Sequence, residues 1–95
     1  MTEAVRWITG QCSDDAGPGG RVVATIHAPA LAPMPPGGIA ARVHCAFLFD
    51  NDKYIFGEDD AQCIELAIWL VCYLFEHRGV TDVTLSVVPP DETTR

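Results

Sequence analysis

The sequence has few basic residues. Its 95 residues include six Lys and Arg against thirteen Asp and Glu, so the formal net charge is −7. Proteins bind nucleic acids and anionic lipids largely by placing Lys and Arg against phosphate groups, so we expect neither as a partner. An acidic surface attracts a basic partner instead, although a general need for solubility would give the same charge.

The sequence also lacks a membrane-spanning run and a leader pattern. The longest apolar stretch, residues 64–75, is twelve residues long and is interrupted by Glu65, whereas a transmembrane helix needs about twenty residues. The start, "MTEAVRWITGQ", has no basic region and no apolar core, so we expect no signal peptide and a cytoplasmic protein. No Cys-x-x-Cys pair is present, which favours reduced, buried thiols. The four cysteines are Cys12, Cys45, Cys63 and Cys72.

Alternating apolar and polar residues predict several strands. The clearest are residues 21–29, "RVVATIHAP", and residues 39–49, "IAARVHCAFLF". Three shorter candidates are "EAVRWIT", "KYIF" and "TDVTLSVV". The proline-rich "PALAPMPPGG" predicts a loop that cannot join a sheet, because proline has no backbone N–H to donate.

These elements predict a single α+β domain over residues 1–95. Apolar residues make up 48% of the chain, which is enough for one small core. The predicted order is β-β-β-β-α-β: an antiparallel sheet of four to five strands, with one long helix packed across one face. We expect residues 89–95 to form a flexible tail.

The predicted helix, residues 59–78, has clear end signals. Gly57 turns the chain before it, and Asp59 is the predicted N-cap, whose carboxylate accepts from free amides of the first turn. Gln62 completes a capping box by reaching back to the N–H of Asp59. Gly79 suits the left-handed position after the helix, where the next residue packs back onto the last turn.

The start of this helix resembles a known signature. Residues 57–68, "GEDDAQCIELAI", are similar to the pattern Gly-x-Asp-x-x-Gln-small-aliphatic-x-Leu-Ala-aliphatic of a family of small uncharacterised bacterial domains. The strands before the helix are also similar, so the resemblance covers most of the chain. It implies the fold and no activity, since turning, capping and packing account for the signature.

Several polar arrangements were candidates for chemistry. Asp50 and Asp52 fit the first positions of a calcium loop, but Tyr54 stands at the fifth and a glycine is missing at the sixth. His44 and Cys45 are adjacent on a strand and point to opposite faces, which disfavours zinc. No Gly-rich loop leads from a strand into a helix to hold a phosphate. We therefore expect no metal, no cofactor and no catalytic residue.

Two surfaces are candidate binding sites for a basic protein. On the helix, Trp69 and Tyr73 lie four residues apart, with Glu65 and Glu76 beside them. Buried aromatic rings would supply affinity there, and carboxylates would speed association. The second surface is an acidic loop region around the helix start. It comprises Asp50, Asp52, Glu58 and Asp60.

These features favour a non-enzymatic protein-binding module. The immunity proteins that bacteria make against their own toxins are similar in type, being small, acidic and without a catalytic motif, so a toxin is one candidate for the basic partner. Two alternatives stay open. The first is a small enzyme or ligand-binding domain that uses His27 and His44 on the open sheet face. The second is a self-associating structural domain, with the broad helix as the seam of a homodimer.

Overall fold

The computed structural model describes residues 3–12, 20–33 and 37–90. Its elements in chain order are β1 (Ala4–Gln11), β2 (Arg21–His27), β3 (Ala30–Leu31), β4 (Ile39–His44), β5 (Lys53–Phe56), α1 (Asp60–His77) and β6 (Thr81–Ser86). All the strand pairs are antiparallel. The predicted α+β class, with one helix packed on an antiparallel sheet, is confirmed. Of the predicted tail, residues 91–95 lie outside the described ranges.

The sheet has the order β3-β4-β2-β1-β6, and β5 also pairs with β4. Ala40 of β4 pairs with Ala30 of β3 and with Phe56 of β5, so β3 and β5 lie on opposite sides of β4. Val43 likewise pairs with β2 on one side and with β5 on the other. Strands β2 and β3 therefore lie along the same side of β4, and β5 and β6 occupy the two edges of the sheet.

Strand β3 corrects the expectation that "PALAPMPPGG" cannot join the sheet. Ala30 pairs with Ala40, and Leu31 pairs with Ile39. These two residues follow Pro29 and precede Pro33, so the short ladder uses only residues that keep their backbone N–H. Within the described ranges the sheet has six strands instead of the four to five expected.

Strand β4 is shorter than its alternating pattern predicts. It ends at His44, and the chain turns where the amides of Leu48 and Phe49 both donate to the carbonyl of Cys45, at 3.0 and 2.9 Å. The turn brings Phe47 against the last turn of the helix, where its ring meets Phe75 edge-on at 6.2 Å. The sequence pattern does not reveal where β4 ends, because the turn after it also packs on the core and its apolar residues extend the pattern of the strand.

The core lies between α1 and one sheet face. The helix contributes four fully buried residues at four-residue spacing, Cys63, Ala67, Val71 and Phe75. The sheet contributes alternate residues of its central strands, as the period of two requires. The largest fully buried side chains of the sheet and the turn after it are Ile8, Ile26, Val43 and Cys45.

The helix N-terminus is capped by Asp59, as predicted. Its Oδ1 accepts from the backbone amide of Gln62 at 2.8 Å. Gln62 reaches back to the amide of Glu58, at 2.7 Å, and not to that of Asp59 as expected. Gly57 was predicted for its freedom to turn the chain, but the structure requires glycine there for lack of space. A Cβ at this position would lie 2.8 Å from the backbone nitrogen of Cys63.

The helix C-terminus is a Schellman motif, as predicted. Gly79 has φ +79°, in the left-handed region that favours glycine. Its amide donates to the carbonyl of Glu76, and the amide of Val80 donates to the carbonyl of Phe75 at 2.9 Å. Val80 is buried in the core, so the motif directs the chain from α1 into β6.

Candidate functional site

The outer face of α1 carries a stack of three rings. The rings of Trp69 and Tyr73 lie 5.2 Å apart with 12° between their planes, and the imidazole of His77 lies 4.3 Å from the Tyr73 ring. The Nδ1 of His77 is 3.2 Å from the carbonyl oxygen of Tyr73, which fixes the imidazole against the helix. We call Trp69, Tyr73 and His77 the helix ladder.

The ladder is exposed. Trp69 is 62% exposed and Tyr73 44%, and Leu66, one turn before Trp69, is 42% exposed. Residues four apart on a helix lie almost above one another, so the ladder and the buried row that starts at Cys63 form two roughly parallel stripes. The two stripes point to opposite sides of α1. The folded chain therefore leaves the ladder open to a second molecule.

The surroundings of the ladder are acidic. Glu65 and Glu76 are exposed on the same outer side, and α1 contains no Lys or Arg. The first Lys or Arg after the helix, Arg78, places its guanidinium 4.5 Å from the centre of the Phe47 ring. A protein that docks on the ladder would thus meet aromatic rings between carboxylates.

The four carboxylates of the acidic loop region fall into two groups, three that are exposed and one that is paired within the chain. Asp50, Glu58 and Asp60 are exposed. Asp52 is half-buried and accepts from the guanidinium of Arg42 and from Nδ1 of His44, each at 2.8 Å. These contacts, the His44 hydrogen bond first, lower the pKa of the Asp52 carboxyl. Asp52 is therefore already paired within the chain, which leaves the other three carboxylates to face a partner.

Asp52 belongs to a polar network on the open sheet face. Arg42 lies between Asp52 and His27, with its Nη2 at 3.3 Å from Nδ1 of His27. His44 completes the network, and its cross-strand partner on β2 is Thr25. His27 and His44, which were predicted on this face, are thus joined to each other through Arg42 and Asp52. Arg21 lies at the far end of β2, paired with Gln11.

A groove of about 360 Å³ lies beside this network. Small apolar side chains form most of its wall, and Arg42 and Tyr54 are its polar groups. None of the described residues that line it is a nucleophile paired with a base, as covalent catalysis would need. The groove is suited to holding a small ligand, with Arg42 still carrying N–H groups that can donate.

Burial makes three of the four thiols poor nucleophiles. All four cysteines are free, and three of them are buried. Burial raises the pKa of Cys45, Cys63 and Cys72, which reduces the reactive thiolate. Among the residues that the structure describes, no group of three or more His, Cys, Asp or Glu side chains could hold a metal ion. Within the same residues, no helix is long and apolar enough to cross a membrane.

Sequence reasoning missed two features of these surfaces. One is His77, whose spacing of four from Tyr73 extends the aromatic row. The pairing of Asp52 with His44 was also missed. The hairpin register explains it, since Val43 pairs with Lys53 and Asp52 therefore lies next to the end of β4.

Comparisons of the chain with protein-family models, with curated proteins and with solved structures returned no match. The resemblance of the helix start to the bacterial signature stays a prediction. Function must therefore be argued from the surfaces themselves.

Proposed function

We propose that the chain is a non-enzymatic protein-binding module whose helix ladder docks on a basic protein. The observation that carries this is the stacked, exposed pair of Trp69 and Tyr73. Two large aromatic side chains held against each other in water are unusual on a surface with no partner, and tryptophan and tyrosine are the residues that most often dominate binding energy at interfaces.

The charge distribution selects the class of partner. The formal net charge is −7, and Glu65 and Glu76 flank the ladder. A basic surface would be steered to this face, and charges at the rim of an interface mainly increase the association rate. Asp50, Glu58 and Asp60 would extend the acidic field toward the helix start.

A cytoplasmic immunity-type protein that neutralises a basic toxin is the specific form of this proposal. Small size, acidity and an aromatic docking face would suit such a role. Inhibition by an immunity protein requires only that a surface be occupied, so the absence of a nucleophile–base pair along the groove is compatible with it. A toxin-like reading frame next to this gene in its genome would support the proposal.

The test compares four baits in a pull-down from the native host. Wild-type protein and Leu31→Ala should capture the same basic protein, because Leu31 is 78% exposed but lies on β3, away from the ladder. Trp69→Ala should weaken binding of that protein by about 2 kcal/mol, or thirtyfold in Kd. Glu65→Lys should mainly slow its association and reduce the salt dependence of the rate.

Two results would contradict the proposal. In one, Trp69→Ala binds the captured protein as tightly as wild type while Asp50→Lys or Asp60→Lys loses it, which would move the interface to the acidic loops. In the other, the captured protein is acidic. Each variant should first be shown to unfold at the wild-type denaturant concentration, so that loss of binding is not loss of folding.

Ligand binding in the groove is a second candidate function. The observation that favours it is the position of Arg42 and Tyr54 over an apolar wall. A small apolar carboxylate would match these groups. A panel of such acids should raise the melting temperature by mass action, and Tyr54→Phe should reduce the shift. Equal melting temperatures across the panel would exclude this function for that ligand class.

A further inference from the structure

Strand β6 is covered less than the central strands of the sheet, β1, β2 and β4. Leu85 pairs directly with Ile8, so both side chains point to the face that carries the helix. Ile8 is fully buried, as are Ile26 and Val43 on the neighbouring strands, but Leu85 is 48% exposed. Val83, two residues before Leu85 on the same face, is 42% exposed. The apolar layer of the sheet thus continues one strand beyond its cover.

The outer edge of β6 is also unprotected. Among the described strands β6 pairs only with β1, so the backbone N–H and C=O groups on the other side of β6 have no neighbouring strand. Natural sheets usually guard such an edge with lysine, proline or an inward charge. The opposite edge strand, β5, begins with Lys53. From residue 81 to residue 88 the sole charged residue is Asp82, and two prolines follow.

The sequence along this edge is a chemical palindrome. Residues 83–87 read Val-Thr-Leu-Ser-Val, so apolar and hydroxyl residues are arranged symmetrically around Leu85. Two antiparallel copies centred on Leu85 would place Leu85 opposite Leu85, Val83 opposite Val87, and Thr84 opposite Ser86. Every pair then joins residues of the same kind, so the edge is complementary to itself, as a two-fold interface requires.

We propose that two copies of this chain pair antiparallel through β6, with Leu85 on the two-fold axis. The pairing extends the sheet across both copies and gathers Val83, Leu85 and Val87 of each into one apolar cluster. It also covers the strand edge. A basic strand from another protein would gain little there, because this edge carries a single carboxylate.

The chain has a net charge of −7, but the carboxylates nearest to this edge, one Asp82 in each copy, repel each other only weakly in this arrangement. In the antiparallel pair the two Asp82 residues lie six residues apart along the strands, about 20 Å at 3.3 Å per residue. That distance exceeds the Debye length of about 8 Å at physiological ionic strength. Strand pairing between the two copies would end at Val88. Its amide donates to the Ser86 hydroxyl and its carbonyl accepts from that hydroxyl, and Pro89, which has no N–H, follows.

The first test adds one exposed cysteine at a time to the four native ones, which are the same in both variants. Leu85→Cys places the two thiols directly opposite each other across the axis, within reach of a disulfide, so glutathione disulfide should produce a covalent dimer. Val88→Cys is the matched control, since Val88 is at least as exposed but its two copies would lie about 20 Å apart. Equal cross-linking of the two variants would overturn the proposal.

The second test measures mass by light scattering across a concentration series. Wild type should approach twice the 10.3 kDa of one chain, whereas Leu85→Lys should stay at 10.3 kDa. Trp69→Ala should remain a dimer, since the seam does not include the helix ladder. If Leu85→Lys fails to fold, Val87→Lys replaces it, because Val87 lies outside the strand and is 65% exposed. A wild-type protein that is monomeric at its highest attainable concentration, or a Trp69→Ala variant that is monomeric, would overturn the proposal.

Discussion

Both sides of α1 carry large apolar side chains, but only one side is buried. The inner row from Cys63 to Phe75 has no exposed surface at all, and it packs on the central strands of the sheet. The outer row contains Trp69 and Tyr73, which are at least as apolar in area, yet 62% and 44% of their surfaces face water. Apolar character alone therefore does not decide burial in this helix.

The difference shows which side chains the fold needs. A sheet can cover only the part of a helix that faces it, so a single helix on a sheet buries one stripe and leaves the rest to solvent. The inner row contributes to the free energy of unfolding. The outer row contributes little to it, which is the reason why we propose a role in binding for Trp69 and Tyr73. Substitutions on each side should separate these two roles.

The largest effect should come from Phe75→Ala. Phe75 is fully buried, and its ring contacts Phe47 edge-on. Truncation of a buried Phe leaves a cavity and typically lowers the free energy of unfolding by about 3–5 kcal/mol. For a domain of this size that is a large part of the total stability. Urea denaturation followed by tryptophan fluorescence measures the change. A loss below about 1 kcal/mol would mean that the inner row is not the core.

A smaller effect on stability is expected at the helix start, whose cap stabilises the whole helix and neither of its sides in particular. Asp59→Ala removes the cap on the amide of Gln62 and should cost about 1 kcal/mol. Gln62→Ala should cost less, because it releases only the amide of Glu58, which is exposed to water. Both variants should bind any partner with unchanged affinity once they are folded. Loss of binding with unchanged stability would show instead that the cap residues contact the partner.

The helix and its ends could be predicted from the sequence because their signals are local. An N-cap carboxylate, a glycine after the last turn and apolar spacing of three and four all act within a few residues. The strand alternation placed Val22, Ala24 and Ile26 in the core for the same reason.

Features that depend on distant contacts could not be predicted. The pairing of Ala30 and Leu31 with β4 depends on how two loops bring the strands together. The close approach of Gly57 to Cys63 depends on the angle at which the helix begins. The sequence left two alternatives for the helix ladder: either it is exposed, or a loop of the chain covers Trp69. The sequence pattern of a helix does not indicate which of its sides a loop covers.

Asp52 provides a baseline that involves neither side of the helix. Hydrogen bonds from His44 and Arg42 lower its pKa in the folded protein. A lowered folded pKa means that its stabilisation is present above the ordinary carboxyl pKa of about 4, and is lost as the pH falls through the lowered value. Because the pair is partly exposed, Asp52→Asn should cost only about 0.5 kcal/mol at pH 7. The difference from wild type should shrink in acid and in high salt. A difference that persists at pH 2 would rule out an ionic origin.

The smallest change in stability should come from the largest side chain. Trp69→Ala removes a stacked indole from Tyr73, a contact worth about 0.5–1.5 kcal/mol when rings are desolvated, but this pair is mostly in water. Alanine also has the higher helix propensity, by about 0.5 kcal/mol, which offsets the loss. We expect a net change within about 0.5 kcal/mol in urea denaturation, followed by circular dichroism because the variant lacks the indole signal. A loss of 2 kcal/mol or more would show that the outer row belongs to the core after all, and the partner would then have to dock at Asp50, Glu58 and Asp60.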